Sequence, residues 1–64
     1  MAITKSTAKK ILQEEGAQRV SDSAAMEFSR MMNKYAYSIA KKAVKLVAHA
    51  RRKTVEKSDI ELAK

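Results

Sequence analysis

The fold is decided by one uninterrupted stretch, residues 22–50, which reads DSAAMEFSRMMNKYAYSIAKKAVKLVAHA. It contains neither Gly nor Pro, and its apolar residues recur at steps of three and four, as on one side of an α-helix. These positions are Phe28, Met32, Tyr35, Ile39, Ala43, Leu46 and Ala50. A second apolar stripe (Ala36, Ala40, Val44, Val47) lies beside the first, so apolar residues cover well over half of the helix circumference. We therefore predict a long helix that is covered on more than one side.

Shorter helices are predicted on both sides of the long one. Thr4 can cap a first helix over about residues 5–14, and Gly16 can end it in a left-handed conformation. Ser21 is the expected N-cap of the long helix, and EKSDIELAK, residues 56–64, is expected to contain a third short helix. Two short helices cover only one side of a helix of about 45 Å. We therefore predict an all-α domain over residues 1–64 that forms an obligate dimer, in which the long helices of two chains cross.

The composition favours a polyanionic partner. Among 64 residues, 14 Lys and Arg face 7 Asp and Glu, a formal net charge of +7. This balance is typical of proteins that bind nucleic acid or an acidic membrane surface. There is no Cys and only one His, so we expect neither a disulfide, a metal site nor a cofactor. No apolar run approaches the ~20 residues of a membrane span, and we expect a cytoplasmic protein.

The basic residues are concentrated in the second half of the chain. From residue 30 to residue 53 there are eight of them and no acid: Arg30, Lys34, Lys41, Lys42, Lys45, Arg51, Arg52 and Lys53. On a helical wheel, most of them share one face, opposite the first apolar stripe. A solvated helix face is the ordinary interpretation of such a pattern. The functional alternative is a face that attracts phosphate or a neighbouring molecule.

The cluster ARRKT, residues 50–54, is different because it lies in a predicted loop. Adjacent Lys and Arg side chains beside a Thr hydroxyl offer both charge and directed donors to phosphate oxygens. Arg19 lies in the other predicted loop. In a crossed antiparallel dimer we expect Arg19 of one chain to lie near Lys53 and Thr54 of the other. Each end of the dimer would then carry a phosphate-binding site.

Two segments of the chain resemble archaeal histones. They are GAQRVSDSA, residues 16–24, and HARRKTVEKSDIELA, residues 49–63, and the resemblance extends over about residues 9–63. It implies the histone fold (short helix, loop, long central helix, loop, short helix) in an intertwined handshake dimer, either a homodimer or a heterodimer with another histone. It also implies a chromosome- or nucleoid-associated protein that wraps double-stranded DNA with little sequence specificity. Its dimers would compact DNA into nucleosome-like chromatin. They could also assemble into a tetramer or a higher assembly on the DNA.

The resemblance also assigns roles to individual residues in DNA binding. Arg19 matches the arginine that enters the minor groove, where a narrow A·T-rich groove deepens the negative potential. Lys53 and Thr54 match phosphate contacts of the second loop, and Lys10 stands where relatives carry an arginine directed at phosphate. Arg51 stands where many archaeal relatives have glycine. The expected DNA-binding residues are Lys9, Lys10, Arg19, Arg51, Lys53 and Thr54.

Other matches are structural. Arg52 and Asp59 match an ion pair that ties the second loop to the third helix, and we prefer this role for Arg52 over a direct DNA contact. Leu46, His49, Asp59 and Leu62 match the contact between two dimers. A contact between His49 and Asp59 is expected there.

Three other functions are weaker alternatives. A histone-fold protein that holds a transcription partner would be indicated by loss of Arg19 and of the Lys53–Thr54 pair, and both are present. A membrane-surface helix would need a narrower apolar face than this one. An enzyme is not expected, because no acid–base pair, nucleophile constellation or glycine-rich phosphate loop occurs.

Overall fold

The computed structural model of the protein describes residues 3–64. Within that range the chain forms three helices and no strand: α1 (Lys5–Glu14), α2 (Asp22–His49) and α3 (Lys57–Ala63). The predicted order of a short, a long and a short helix is confirmed. The connecting segments are loop 1, residues 15–21, and loop 2, residues 50–56. The chain divides into two compact units, one up to Lys34 and one from Tyr35 onward.

Helix α1 begins and ends at the residues that the sequence predicted. The hydroxyl of Thr4 accepts a hydrogen bond, at 3.2 Å, from the backbone N–H three residues further on. Gly16 has a φ of 116°, and its N–H donates to the carbonyl of Gln13 at 3.1 Å. The next N–H, that of Ala17, donates to the carbonyl of Leu12 at 3.1 Å. This pair of bonds is the Schellman motif, which satisfies leftover carbonyls at a helix end and requires a positive φ.

Helix α2 begins after the predicted cap. The Ser21 hydroxyl accepts a hydrogen bond from the N–H of Ala24 at 3.1 Å. Asp22 follows in the first turn, where a carboxylate is favoured by the helix dipole, and lies 3.8 Å from the ammonium nitrogen of Lys5. The start of α1 and the start of α2 are therefore linked by an exposed ion pair, which contributes little stability.

The end of α2 repeats the Schellman pattern without a glycine. The helix stops at His49, one residue before the predicted end. The N–H of Arg51 donates to the carbonyl of Ala48 at 3.0 Å, and the N–H of Arg52 donates to the carbonyl of Val47 at 2.9 Å. Arg51 consequently has a φ of 58°, a left-handed conformation that residues with a Cβ adopt only at a cost.

Helix α3 is held at its start by a side chain. Glu56 lies in the N-cap position with an extended backbone, and its N–H donates to Oδ2 of Asp59 at 2.8 Å. A helix of seven residues does not persist alone in water. Contacts outside the helix must therefore keep α3 in place.

The described part of a single chain contains no large buried side chain. Its buried apolar residues are Ala8, Ala25, Ala43, Val47 and Ala63. Many larger apolar side chains are exposed, and Tyr35 and Leu62 are 64% and 75% accessible. The others are Met26, Met31, Tyr37, Val44, Leu46, Val55 and Ile60. Since apolar burial is the dominant favourable contribution to folding, the described protomer obtains little of this contribution from its own large side chains.

The first unit contains a polar clamp that the sequence did not predict. Ser29 and Asn33, four residues apart on α2, are buried, and both bind the backbone of Ile3. The Ile3 N–H donates to Oδ1 of Asn33 at 2.9 Å. The Ile3 carbonyl accepts from the Asn33 amide at 2.8 Å and from the Ser29 hydroxyl at 2.6 Å. The segment that enters α1 is therefore fastened to α2 by three hydrogen bonds.

Candidate nucleic-acid interface

In the first unit, the predicted DNA-binding residues lie on α1 and loop 1. Lys10 and Arg19 are exposed, and Lys9 is half-buried. None of the three forms an ion pair within the described residues, in contrast to Lys5 beside Asp22. Their positive charges are therefore available to an external anion.

In the second unit, the predicted DNA-binding residues lie on loop 2. Arg51, Lys53 and Thr54 are all exposed. Among the three adjacent basic residues of this loop, Arg52 alone has an ion-pair partner within residues 3–64. Arg51 and Lys53 thus carry two uncompensated charges on one short segment, beside the Thr54 hydroxyl.

Arg52 is held by Asp59. Its guanidinium donates from Nη2 to Oδ1 of Asp59 at 2.6 Å and from Nη1 to Oδ2 at 3.1 Å. Nη1 also donates to the carbonyl of Thr54 at 3.3 Å. This bidentate geometry is the strong form of an Arg–carboxylate pair. The carboxylate also accepts from the Glu56 N–H, so Asp59 connects loop 2 with the first turn of α3.

The pair changes the titration of both groups. The Arg52 guanidinium and the Glu56 N–H stabilise the charged carboxylate, and they hold the pKa of Asp59 below its ordinary value. The hydrogen bond to Asp59 raises the pKa of Arg52. The Asp59 side chain is only 4% exposed, whereas that of Arg52 is 41% exposed. The buried carboxylate of Asp59 depends on Arg52 to balance its charge, whereas the guanidinium of Arg52 is also hydrated.

The basic residues of α2 fall into two groups. Arg30 pairs with Glu27, one turn earlier, and this pairing lowers the pKa of Glu27 and raises that of Arg30. The remaining lysines of α2 are exposed and form no ion pair within the described part of the chain: Lys34, Lys41, Lys42 and Lys45. This arrangement fits the interpretation of these lysines as a solvated helix face.

Three of the four residues expected between dimers lie together in the second unit. Leu46, His49 and Leu62 line a shallow groove of about 500 Å³, which Lys42 and Lys45 flank. Asp59 is not among the groove residues, because its oxygens bind Arg52 and Glu56. Within one chain the structure therefore brings the leucines and the histidine together and gives Asp59 a different set of contacts.

The clamp residues Ser29 and Asn33 are the main feature that sequence reasoning missed. Polar residues four apart on the apolar side of a predicted helix were a signal, since buried polar groups need partners. The partner, however, is the backbone of Ile3, about thirty residues away in sequence. Every residue type except proline has the same backbone N–H and carbonyl, so the residue type at position 3 gives no sign of this contact.

Three helices in this order, with unpaired cations on both loops, define a small helical protein suited to nucleic acid. The family model described as "Histone-like transcription factor (CBF/NF-Y) and archaeal histone" matches residues 1–63. The chain belongs to this family, and its all-α structure is the histone fold.

Two archaeal histones are similar in sequence to this chain, in agreement with the family assignment. The chain is 44% identical over 54 residues to "Probable archaeal histone 3" of Methanocaldococcus jannaschii, and the match covers 84% of this chain and 81% of the relative. It is 39% identical over 54 residues to one of the subunits of the archaeal histone HAN1 from Thermococcus zilligii, with the same two coverages.

Membership in this family supplies the general function. Archaeal histones are DNA-binding chromatin proteins that form dimers, and the family is one of structural proteins and not of enzymes.

Among the described residues, no helix is long and apolar enough to cross a membrane. No group of three or more His, Cys, Asp or Glu side chains within residues 3–64 is arranged to hold a metal ion.

Proposed function

We propose that residues 1–64 act as one histone-fold domain that binds double-stranded DNA largely without sequence specificity, wraps it and compacts it into nucleosome-like chromatin. The observation that carries the proposal is the set of exposed, unpaired cations on the two loops, Arg19 on loop 1 and Arg51 and Lys53 on loop 2. The protein would act on the chromosome, within the nucleoid. The family also includes histone-like transcription factors, but the named relatives are archaeal histones, and charge on both loops favours DNA wrapping.

The acting species is a handshake dimer. The absence of large buried side chains in the described protomer and the exposure of Met31, Tyr35 and Val44 support a partner that packs along α2. A second copy of this chain is one such partner. Another histone is the other, because the relative from Thermococcus zilligii is named as one subunit of its histone.

The dimer would bring loop 1 of one chain beside loop 2 of its partner. Arg19 then enters the minor groove, where its guanidinium is attracted by the deep negative potential of narrow A·T-rich segments. Lys53 and the Thr54 hydroxyl contact the adjacent phosphates. Lys9, Lys10 and Arg51 add phosphate contacts on either side, while Arg52 remains bound to Asp59 and holds the loop.

Phosphate neutralisation would supply most of the affinity. Each phosphate that a cation neutralises makes the fall of log K with log salt steeper by about 0.9. Sequence preference would follow the ease of bending, because the proposed contacts reach phosphates and the degenerate minor groove.

Dimers would assemble further through the groove of the second unit. Leu46 and Leu62 are exposed on it, and His49 lies beside them. Apolar contact between two such grooves, together with the expected contact between His49 and Asp59, would join dimers into a tetramer or a higher assembly on DNA.

Nuclease digestion of DNA saturated with the protein tests the proposal. Wild type should leave protected fragments that increase by a constant increment, as expected when dimers add in succession along wrapped DNA. Arg19→Ala should weaken this ladder, whereas Gln18→Ala, an exposed neighbour in loop 1, should leave it intact. Irregular protection that is insensitive to Arg19 would show a basic DNA-binding protein that does not wrap.

A further inference from the structure

The clamp formed by Ser29 and Asn33 on Ile3 includes none of the residues that are expected to bind DNA. Burial of the two polar side chains is costly unless their hydrogen bonds are satisfied. The amide of Asn33 binds both the N–H and the carbonyl of one residue, at 2.9 and 2.8 Å. Two bonds to the backbone of one residue fix its direction as well as its distance. The hydrogen bonds on Ile3 go to its backbone, so they do not depend on the side chain at position 3.

The clamp acts at the entrance to α1. Ile3 is followed by the cap residue Thr4 and then by the ten residues of α1. A helix of this length is marginal in water, and its only fully buried residue is Ala8. Lys9, Ile11 and Leu12 are half-buried, and the other residues of the helix are exposed. The three hydrogen bonds of the clamp are therefore a main determinant of where the first turns of α1 lie.

Helix α1 carries two of the proposed DNA contacts, Lys9 and Lys10. We infer that Ser29 and Asn33 are positioning residues for DNA binding: by holding the Ile3 backbone they place α1 so that these lysines reach phosphate. This inference rests on the proposed DNA-binding function. Neither clamp residue is charged, so any effect of its removal on DNA affinity must arise through position and not through charge.

A double-mutant cycle on DNA binding tests the inference. The four proteins are wild type, Asn33→Ala, Lys10→Ala and the double variant, and the dissociation constant for one duplex is measured at several salt concentrations. In wild type, Lys10→Ala should weaken binding roughly fivefold and reduce the salt slope, because one phosphate contact per chain is lost. In the Asn33→Ala background the same change should have almost no effect, and Asn33→Ala alone should already reduce the slope.

Structural damage must be separated from loss of position. Far-UV circular dichroism at the assay temperature identifies variants that remain folded, and amide hydrogen exchange should speed up over residues 5–10 and not in loop 2. Ser29→Ala is the milder variant, since it removes one of the three bonds, and should give a smaller effect in the same direction. Ser38→Ala makes the same change at an exposed position of α2 and should match wild type.

Two results would overturn the inference. One is a folded Asn33→Ala protein in which Lys10→Ala weakens binding as much as in wild type. The other is a wild-type background in which Lys10→Ala has no effect, because the clamp would then have no contact to position. Arg19→Ala, measured in the same assay, separates these results from failure of the proposed function. If it weakens binding in either case, the DNA interface remains and only the role of the clamp is wrong.

Discussion

Loop 1 and loop 2 follow helices that end with the same pair of hydrogen bonds, yet different residues hold the two loops in place. At the end of α1 the left-handed position is occupied by Gly16, and no ion pair involves residues 15–21 in the described chain. At the end of α2 the same position is occupied by Arg51, and the next residue, Arg52, is bound to Asp59. Loop 1 is held by the backbone conformation that glycine favours, and loop 2 is held by an ion pair between side chains.

The difference indicates what each loop gives up. A glycine after a helix adopts a positive φ at no steric cost, but it contributes no side chain. An arginine there adds a charge two residues before Lys53, at a conformational cost of roughly 1 kcal/mol. Loop 2 therefore carries more charge but has a residue in an unfavourable backbone conformation. The Arg52–Asp59 pair offsets this cost in stability by fixing the segment that follows.

Removal of the ion pair should have the largest effect on stability. Arg52→Ala leaves the buried carboxylate of Asp59 without its main partner, which is among the more destabilising changes available to a small domain. We expect the thermal midpoint to fall by roughly 10 °C in circular dichroism melts at equal protein concentration. Arg51→Ala removes the same charge from the adjacent position and should change the midpoint by about 2 °C or less. Equal shifts for the two variants would show that net charge, and not the pair, is responsible.

The same pair should make loop 2 sensitive to acid. The pKa of Asp59 is lowered in the folded state, so its contribution to stability is complete above the unfolded value of about 3.9. As the pH falls below that value and then through the folded pKa, the carboxylate is protonated and the contribution is lost. Wild type should therefore be more stable than Asp59→Asn at neutral pH, and the difference should shrink below about pH 4. A difference that stays constant down to pH 2, about two units below the unfolded pKa, would contradict the charged pair as its source.

Replacement of the loop 1 glycine should have a smaller but clear effect. In Gly16→Ala the new Cβ meets no atom within 4 Å, so the cost comes from the backbone conformation alone. At a φ of 116° we expect a loss of about 1–2 kcal/mol in equilibrium urea unfolding. Gln18→Ala, in the same loop, should stay within about 0.5 kcal/mol of wild type. If Gly16→Ala is as stable as Gln18→Ala, the left-handed conformation is not what ends α1.

The helix ends were predictable because their signals are local. Thr4, Gly16 and Ser21 each act on backbone groups within five residues, and each was assigned correctly from its residue type and position. The clamp on Ile3 was not predictable, because its partners are distant in sequence and one of them is a bare peptide group.

The candidate DNA contacts illustrate the same limit. Residue type alone indicated exposed cations such as Arg19 and Lys53, and their exposure in the structure agrees with that. Their expected approach to each other needs a partner chain, so it remains a prediction. The left-handed conformation of Arg51 was not predicted, because residue type alone assigned this position a charge and no backbone role.

Arg51 offers the finest test of the difference between the loops, because charge and conformation can be separated there. Arg51→Gly should raise the free energy of unfolding by about 0.5–1 kcal/mol, since glycine accepts the left-handed conformation. It should also weaken DNA binding severalfold and reduce the salt slope by about 0.9 for each phosphate lost. Arg51→Ala removes the same charge and keeps the strained backbone, so its DNA affinity should fall equally without any gain in stability. If the glycine variant is no more stable than the alanine variant, loop 2 carries no conformational cost, and the two loops differ only in charge.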